Sequence, residues 1–573
     1  MMNVMRRNFS TVGFTFLALL ALTSTSLAQT NTGDAGAALT KKVDALFAQW
    51  DRPDSPGCAV GVINEGRFIY QRAFGMANLD YNIPLSPQSV FYLASVSKQF
   101  TAVSALLLAR QGKLSLDDPI RKFVPELPEL YNAVTVRHLI HHTSGIRDYL
   151  TLVSLADRRL EEVSTNEEAL ELLMRQKELN FKPGDQFLYT NSGYVLLAIV
   201  VKRVSGKSFG QFAEENIFKP LGMNSTRYKD DRSMIIKNRA TSYSVKPSGG
   251  FSAVMTHFEL VGDGGLMSSI EDLGLWDQIF YANKLGGGGK DLIDQALVTG
   301  VLNNTQKLDY AFGLGVSEYK GLKLIAHGGA FVGYRTEMIR FPEQRFSVIC
   351  LCNAENANAP RFARQIADLF LSGSFRQDQA KAAPVSNPTE KLIDLREHEL
   401  KNKVGAYRNP TTGSIWKLSV KDGKLAADVS GQVFQFAPLS ATRFRGVGGP
   451  VAVVLNFQKP DPTKAPTMSI EVEGQQPVTL EAVEVVTPTA SQLAEYVGDY
   501  YSDELQATFK ITIDGGTLIL KRKNSPSLSL LATLKDQFVA GPGNVTFIRD
   551  EKNRVVGLSV NAGRVTNIRF VKQ

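Results

Sequence analysis

Cysteine is scarce in this chain of 573 residues, at three: Cys58, Cys350 and Cys352. An odd count of three is not a disulfide framework, and no cysteine or histidine spacing matches a structural metal site. All three lie in apolar segments that read as strands, with Cys350 and Cys352 on one face of the same strand. The expectation is small buried apolar side chains rather than a bridge from Cys58. His138, His141 and His142 fall together on an expected helix, but without carboxylates beside them; no metal and no cofactor is expected. Runs of Lys and Arg interleaved with aromatics are also missing, and a net charge of +8 is mild for this length. Nucleic-acid binding therefore has no support. Long apolar runs are missing too: the longest near the N-terminus, Val12 to Leu22, falls short of the roughly 20 residues of a spanning helix.

That short run sits between Arg6-Arg7 and Ser26-Leu27-Ala28. A basic start, an apolar stretch and small residues read as a signal peptide over 1–28, cleaved before Gln29. An exported chain, periplasmic or secreted and without a membrane span once mature, is expected. Its formal charge then falls from +8 to +6.

Residues 29–375 alternate strand and helix patterns. Cys58 to Ile63, a turn at Asn64-Glu65-Gly66, and Phe68 to Tyr70 predict a hairpin. Phe346 to Cys352 predicts a buried strand. Between them, Ser95 to Arg110 predicts a helix stopped at Gly112, and Tyr194 to Val204 another stopped at Gly206. This is an α+β layout: an antiparallel sheet from both chain ends, with helices inserted in the middle. Residues 376–395 read as a linker rich in Ala, Pro and Ser. Beyond it the chain repeats itself. Leu400, Val404-Gly405, Tyr407, Trp416, Gly423 and Leu425 recur at one offset as Leu493, Val497-Gly498, Tyr500, Phe509, Gly516 and Leu518. Two small all-β antiparallel barrels are expected, at 396–486 and 487–573.

Three short segments carry chemistry. Ser95-Val96-Ser97-Lys98 opens a helix, where residues i and i+3 share a face, so the Lys98 amine can reach Ser95 Oγ. A serine becomes a nucleophile when a base takes its proton, and a desolvated lysine is such a base. Tyr189-Thr190-Asn191 follows the turn Lys182-Pro183-Gly184-Asp185; its hydroxyl can relay protons and its amide can orient the lysine or a substrate. His327-Gly328-Gly329 begins an expected strand, where glycine lets a substrate backbone come close. Taken singly, each has a plain structural reading: a serine N-cap, a buried tyrosine, a strand-edge bend with a solvent-facing histidine.

Together they are recognisable. Phe91 through Thr101 resembles the nucleophile segment of class C β-lactamases and their penicillin-recognising relatives. His142-Thr143-Ser144-Gly145, the stretch from Phe181-Lys182-Pro183-Gly184 to Tyr194, Pro220-Leu221-Gly222-Met223, Gly264-Gly265-Leu266 with Asp272-Leu273, and His327-Gly328-Gly329 follow in the family's order. The resemblance implies an antiparallel sheet flanked by helices beside an all-helical subdomain, with Ser95 as nucleophile, Lys98 and Tyr189 as the base pair, and Asn191 as a substrate-orienting residue. It implies that His327, Gly329 and Ala330 line the third edge, with the Ser95 and Ala330 N–H groups as oxyanion hole. Class C β-lactamases carry lysine where this chain has His327. That change, and the two barrels, make the layout similar to D-aminopeptidases. The expected function is a D-amino-acid-directed peptidase or amidase acting through an acyl-enzyme on small peptides, amides, esters or β-lactams. A β-lactamase or carboxylesterase of the same family, and a non-catalytic penicillin- or peptide-binding protein, are the alternatives.

Overall fold

The computed structural model describes residues 32–159, 165–255, 258–375, 392–410, 413–429, 432–447, 453–458, 466–472, 477–541 and 543–573. The expected signal peptide and most of the expected linker lie outside them.

Period-two patterning organises the first domain. Its six-stranded antiparallel sheet runs in the order Gly315–Tyr319, Leu322–Phe331, Tyr334–Phe341, Phe346–Cys352, Cys58–Asn64, Arg67–Phe74. The first strand of the domain thus lies beside its last, with Cys58 opposite Cys352 and Asn64 opposite Phe346. Val60, Val62 and Val348 face the helices Thr32–Phe47 and Ala359–Leu371, while Ala59, Ile349 and Leu351 face the opposite cluster, which contains Ile270 and Leu273. Both faces are covered, so Phe346–Cys352 is apolar almost throughout and fully buried. Each fully buried Val, Leu or Ile contributes roughly 1.5–3 kcal/mol. The hairpin turn forms at Glu65 and Gly66, both at positive φ (49° and 75°), as a tight two-residue turn requires.

Register overturns the cysteine expectation. Residues 58 and 352 are direct cross-strand partners, and they are joined as a disulfide. Cys350 stays a free, buried thiol, its Sγ 3.7 Å from that of Cys352. Alternation along one strand was legible, but which residue stands opposite depends on pairing between segments nearly 300 residues apart.

The inserted helical region holds the helices Lys98–Arg110, Val136–Ile140, Tyr149–Leu155, Asn166–Met174 and Asn191–Ser205. Gly206 ends the last of these at φ 71°, the left-handed cap that glycine adopts without strain. The histidine trio is not on one helix: the helix ends at Ile140, His141 caps it, and His142 takes φ 57°. Beyond the linker, eight strands from Gly405 to Val483 close one barrel, and eight from Gly498 to Lys572 close a second. A short helix precedes each, Glu397–Lys401 and Ala490–Glu495, and Tyr407 and Tyr500 sit at equivalent places on the first strands. Among the described residues no helix is long and apolar enough to cross a membrane.

Candidate active site

The serine segment begins with a strained residue. Ala94 has φ 48°, a region that costs a non-glycine residue about 1–2 kcal/mol. The neighbours hold it there: the Leu93 N–H donates to Leu266 O at 2.8 Å, and Thr336 Oγ1 donates to Leu93 O at 2.9 Å. A single 3₁₀ turn, Ala94–Ser97, then leads into the helix Lys98–Arg110, which is buried from Lys98 to Leu108. Phe100 stacks on Trp276 at 4.0 Å, and the Trp276 indole N–H donates to Gln99 Oε1 at 2.6 Å, so the helix is fixed in rotation.

That rotation aims Lys98. Its amine is fully buried and lies 3.0 Å from Ser95 Oγ, 3.0 Å from Asn191 Oδ1 and 2.8 Å from the Asp263 carbonyl oxygen. The amide oxygen and the carbonyl oxygen only accept, so two of the three positions around Nζ must be N–H donors. The third faces a hydroxyl that can donate or accept. The Nζ to Oγ contact can therefore run either way, with Nζ donating to Ser95 Oγ or accepting from the Ser95 hydroxyl.

Tyr189 lies with its ring 5.0 Å from Lys98 Nζ, against His142 at 4.2 Å. Its hydroxyl is buried and has no hydrogen-bond partner among the described residues. An unpaired buried donor is costly, and substrate or water would satisfy it. Asn191 is the first residue of its helix, and its N–H donates to Asp148 Oδ2 at 2.7 Å.

His327 sits on Leu322–Phe331, half-buried rather than solvent-facing. Its Nδ1 is 2.7 Å from the Gly328 carbonyl, which only accepts, so Nδ1 carries the proton. Nε2 then accepts from the Tyr310 hydroxyl at 3.0 Å. Burial first, and the Lys98 charge second, lower its pKa to about 4, so the ring is neutral at pH 7. Ala330, two residues beyond Gly328 on the same strand, lines the cleft with Ser95. The reading of Gly329 as space for a substrate backbone is corrected: a Cβ there would overlap Leu93 O and Thr336 Oγ1, so the glycine admits the serine segment's own turn. At Gly328 a Cβ would overlap the Glu337 carboxylate.

Other groups in this cleft of about 230 Å³ were not found by sequence reasoning. Asp263 is one. Its carboxylate accepts from the Tyr149 hydroxyl at 3.1 Å, and burial raises its pKa while the Lys98 charge opposes the rise. An acid among glycines, in Gly262-Asp263-Gly264-Gly265, was the available signal. Arg564 is the second. It comes from the turn between the last two strands of the second barrel, and its guanidinium lies 4.8 Å over the Tyr189 ring. Tyr92, Phe258 and Phe331 add aromatic walls. Tyr310, which fixes His327, carried no motif at all.

The β-lactamase family model matches residues 43–371. Penicillin-binding protein 4* of Bacillus subtilis is 30% identical over 395 residues, which is 66% of this chain and 85% of that protein. A D-aminopeptidase of Brucella anthropi is 26% identical over 533 residues, 88% of this chain and 93% of its own. Among solved structures, an octameric penicillin-binding protein homologue from Pyrococcus abyssi has a similar fold, with a TM-score of 0.53 and 24% identity, covering 79% of this chain and all of its own.

Proposed function

The chain belongs to the β-lactamase family and is a serine hydrolase, and on that premise we propose that it cleaves D-aminoacyl amides and short D-amino-acid-directed peptides with a free amino terminus, outside the cytoplasm. The observation that carries the reading is the charge layout of the cleft. Asp263 stands beside Ser95 among aromatic side chains, a setting that suits a substrate ammonium. On the strand Leu322–Phe331 the histidine is neutral and held by Tyr310, so no permanent charge on that strand awaits a β-lactam carboxylate. The D-aminopeptidase relative supports the same substrate class.

In this mechanism the Ser95 hydroxyl passes its proton to Lys98 Nζ as Oγ attacks the substrate carbonyl carbon. The carbonyl electron pair moves to oxygen, where the Ser95 and Ala330 N–H groups stabilise it. Tyr189 relays the proton to the leaving amine nitrogen, the C–N bond breaks, and an ester to Ser95 remains. Water, deprotonated by the same Lys98–Tyr189 pair, then adds to the ester carbonyl, the C–Oγ bond breaks, and the pair returns that proton to Ser95 Oγ. Asn191 and Asp263 keep Lys98 in place through both steps. Export is supported by the signal-like residues 1–28 and by the Cys58–Cys352 disulfide, which suits an oxidising compartment.

The test compares D-alanine p-nitroanilide, its N-acetyl form and nitrocefin on the purified enzyme. The free-amine substrate is expected to be preferred at least about tenfold over the acetylated one, and Asp263→Asn to erase that preference. Ser95→Ala abolishes turnover and labelling by a fluorophosphonate. Faster hydrolysis of nitrocefin than of any D-aminoacyl amide would overturn the assignment.

A further inference from the structure

A cavity of about 470 Å³ lies outside the catalytic cleft, in a chamber where the second barrel meets the helix Tyr149–Leu155. Phe509, Leu520, Val545 and Val560, from the inward face of the barrel, form its wall. The barrel explains the space. Leu558 and Phe547 are buried and do not line the chamber, while three of the positions that do line it are the small Ala540, Gly543 and Ala562, which leave space between the larger wall residues. An eight-stranded barrel is just wide enough either to fill itself or to hold one small ligand. The volume is in the range of ligand sites, and an apolar wall does not give ordered water its two to four partners.

The rim is positive. Arg522 and Arg564 face a single carboxylate, Asp148. That carboxylate is already engaged: Oδ1 accepts from the Thr151 N–H at 3.2 Å, and Oδ2 from the Asn191 N–H at 2.7 Å, with Arg564 at 3.6 Å. Arg522 has only a long contact from Nη1 to Ser154 O, 3.4 Å, and its buried Nε has no partner among the described residues. An apolar chamber with an under-satisfied guanidinium at its mouth is complementary to an apolar tail carrying one anionic head.

We propose that this chamber is a binding site for a free medium-chain fatty acid, with its tail against the barrel wall and its carboxylate on Arg522. The chamber shares Leu150 and Arg564 with the catalytic cleft, but Ser95, Tyr189 and Asn191 do not line it, and the proposal does not rest on which substrate the cleft takes.

Isothermal titration of the full-length protein with decanoate, decanol and acetate tests it. Decanoate is expected to bind once per chain, at least tenfold more tightly than decanol, and acetate not to bind. Arg522→Gln brings decanoate down to the affinity of decanol. Val560→Trp fills the chamber from the barrel and removes binding. Because that change sits in a packed core, Thr151→Phe fills it independently from the half-exposed helix side, with circular dichroism to verify folding. The proposal is overturned if the wild type does not bind decanoate, if decanol binds equally well, or if both filled variants bind like the wild type, which would indicate adsorption to the outer surface.

Discussion

The two barrels share a repeat and a strand count, yet they stand differently toward the rest of the molecule. The first has a core of its own, built on Leu400, Tyr407, Leu425, Phe444 and Leu455. The core of the second is continuous with that of the hydrolase domain: Tyr500, Phe509, Leu520 and Phe570 belong to the same buried cluster as Phe100, Tyr149 and Tyr194. Polar contacts seal that union. Arg147, fully buried, lies 2.5 Å from Glu504, and its other nitrogen donates to Asn567 O at 3.0 Å. The Lys177 N–H donates to the same Glu504 carboxylate, and Asn180 binds both Arg564 O and the Thr566 N–H. Duplication explains why two barrels exist. Docking is decided by side chains outside the repeated pattern, and only the second copy became part of the hydrolase core.

The largest effect should come from opening that union. Removing one member of a buried ion pair leaves the other charge unpaired, at about 3–5 kcal/mol. Arg147→Met is therefore expected to lower the melting transition shared by the hydrolase domain and the second barrel, and to lower turnover with it. Leu425→Ala, a cavity in the first barrel worth about 2–5 kcal/mol, should lower a separate transition and leave turnover unchanged. Differential scanning calorimetry with activity assays on both variants distinguishes the two. A single transition shifted equally by both changes would mean that the barrels are energetically one body.

Acid–base behaviour should sharpen the same contrast at a somewhat smaller scale. Glu337, buried behind Gly328, has its pKa raised from 4.5 to about 7 by burial, with Arg364 at 3.3 Å opposing the rise. A carboxyl whose folded pKa is raised favours folding while protonated. Its contribution is complete below pH 4.5 and is lost as pH climbs through about 7. From pH 5 to pH 8 the hydrolase transition should fall by about 1–3 kcal/mol relative to Glu337→Gln, which carries no such charge. The transition of the first barrel should be indifferent to the substitution. Identical pH dependence in wild type and Glu337→Gln would remove this carboxyl from the account.

Much of this was legible beforehand, and the pattern of failures has a physical basis. Both the sheet hairpin and the serine helix follow from periodicity and glycine stops, which are local. Ser95, Lys98, Tyr189, Asn191, His327 and Ala330 come together because their motifs are short and lie on rigid elements. What escaped depends on pairing across long stretches of chain. The Cys58–Cys352 bridge needs a register, the overlap at Gly329 needs the Leu93 turn, and the orientation of the His327 ring needs Tyr310. Arg564 is the extreme case, an arginine in a barrel turn that lies 469 residues along the chain from Ser95 yet lines its cleft.

Arg564 also gives the smallest and most specific test of the comparison. Its backbone is held by Asn180, whose Nδ2 donates to Arg564 O at 2.9 Å, so a side-chain truncation should leave the turn in place. The side chain is part-exposed, at 42%, and its pairing with Asp148 at 3.6 Å is long, so little stability depends on it. What it does supply is a positive charge in a cleft whose strand Leu322–Phe331 offers a neutral histidine. A substrate with a free carboxylate on the leaving-group side should use that charge, and a neutral amide should not. Arg564→Ala is then expected to raise KM for a D-alanyl dipeptide about five- to tenfold, with kcat held and D-alanine amide changed less than about twofold. Arg564→Lys should recover part of the loss, and salt should weaken the dipeptide preference of the wild type, as it screens any half-exposed charge. Lys424→Ala, on the first barrel, should alter neither substrate. If dipeptide and amide respond alike to Arg564→Ala, the second barrel contributes packing to the cleft and no charge recognition, and the difference between the barrels reduces to docking.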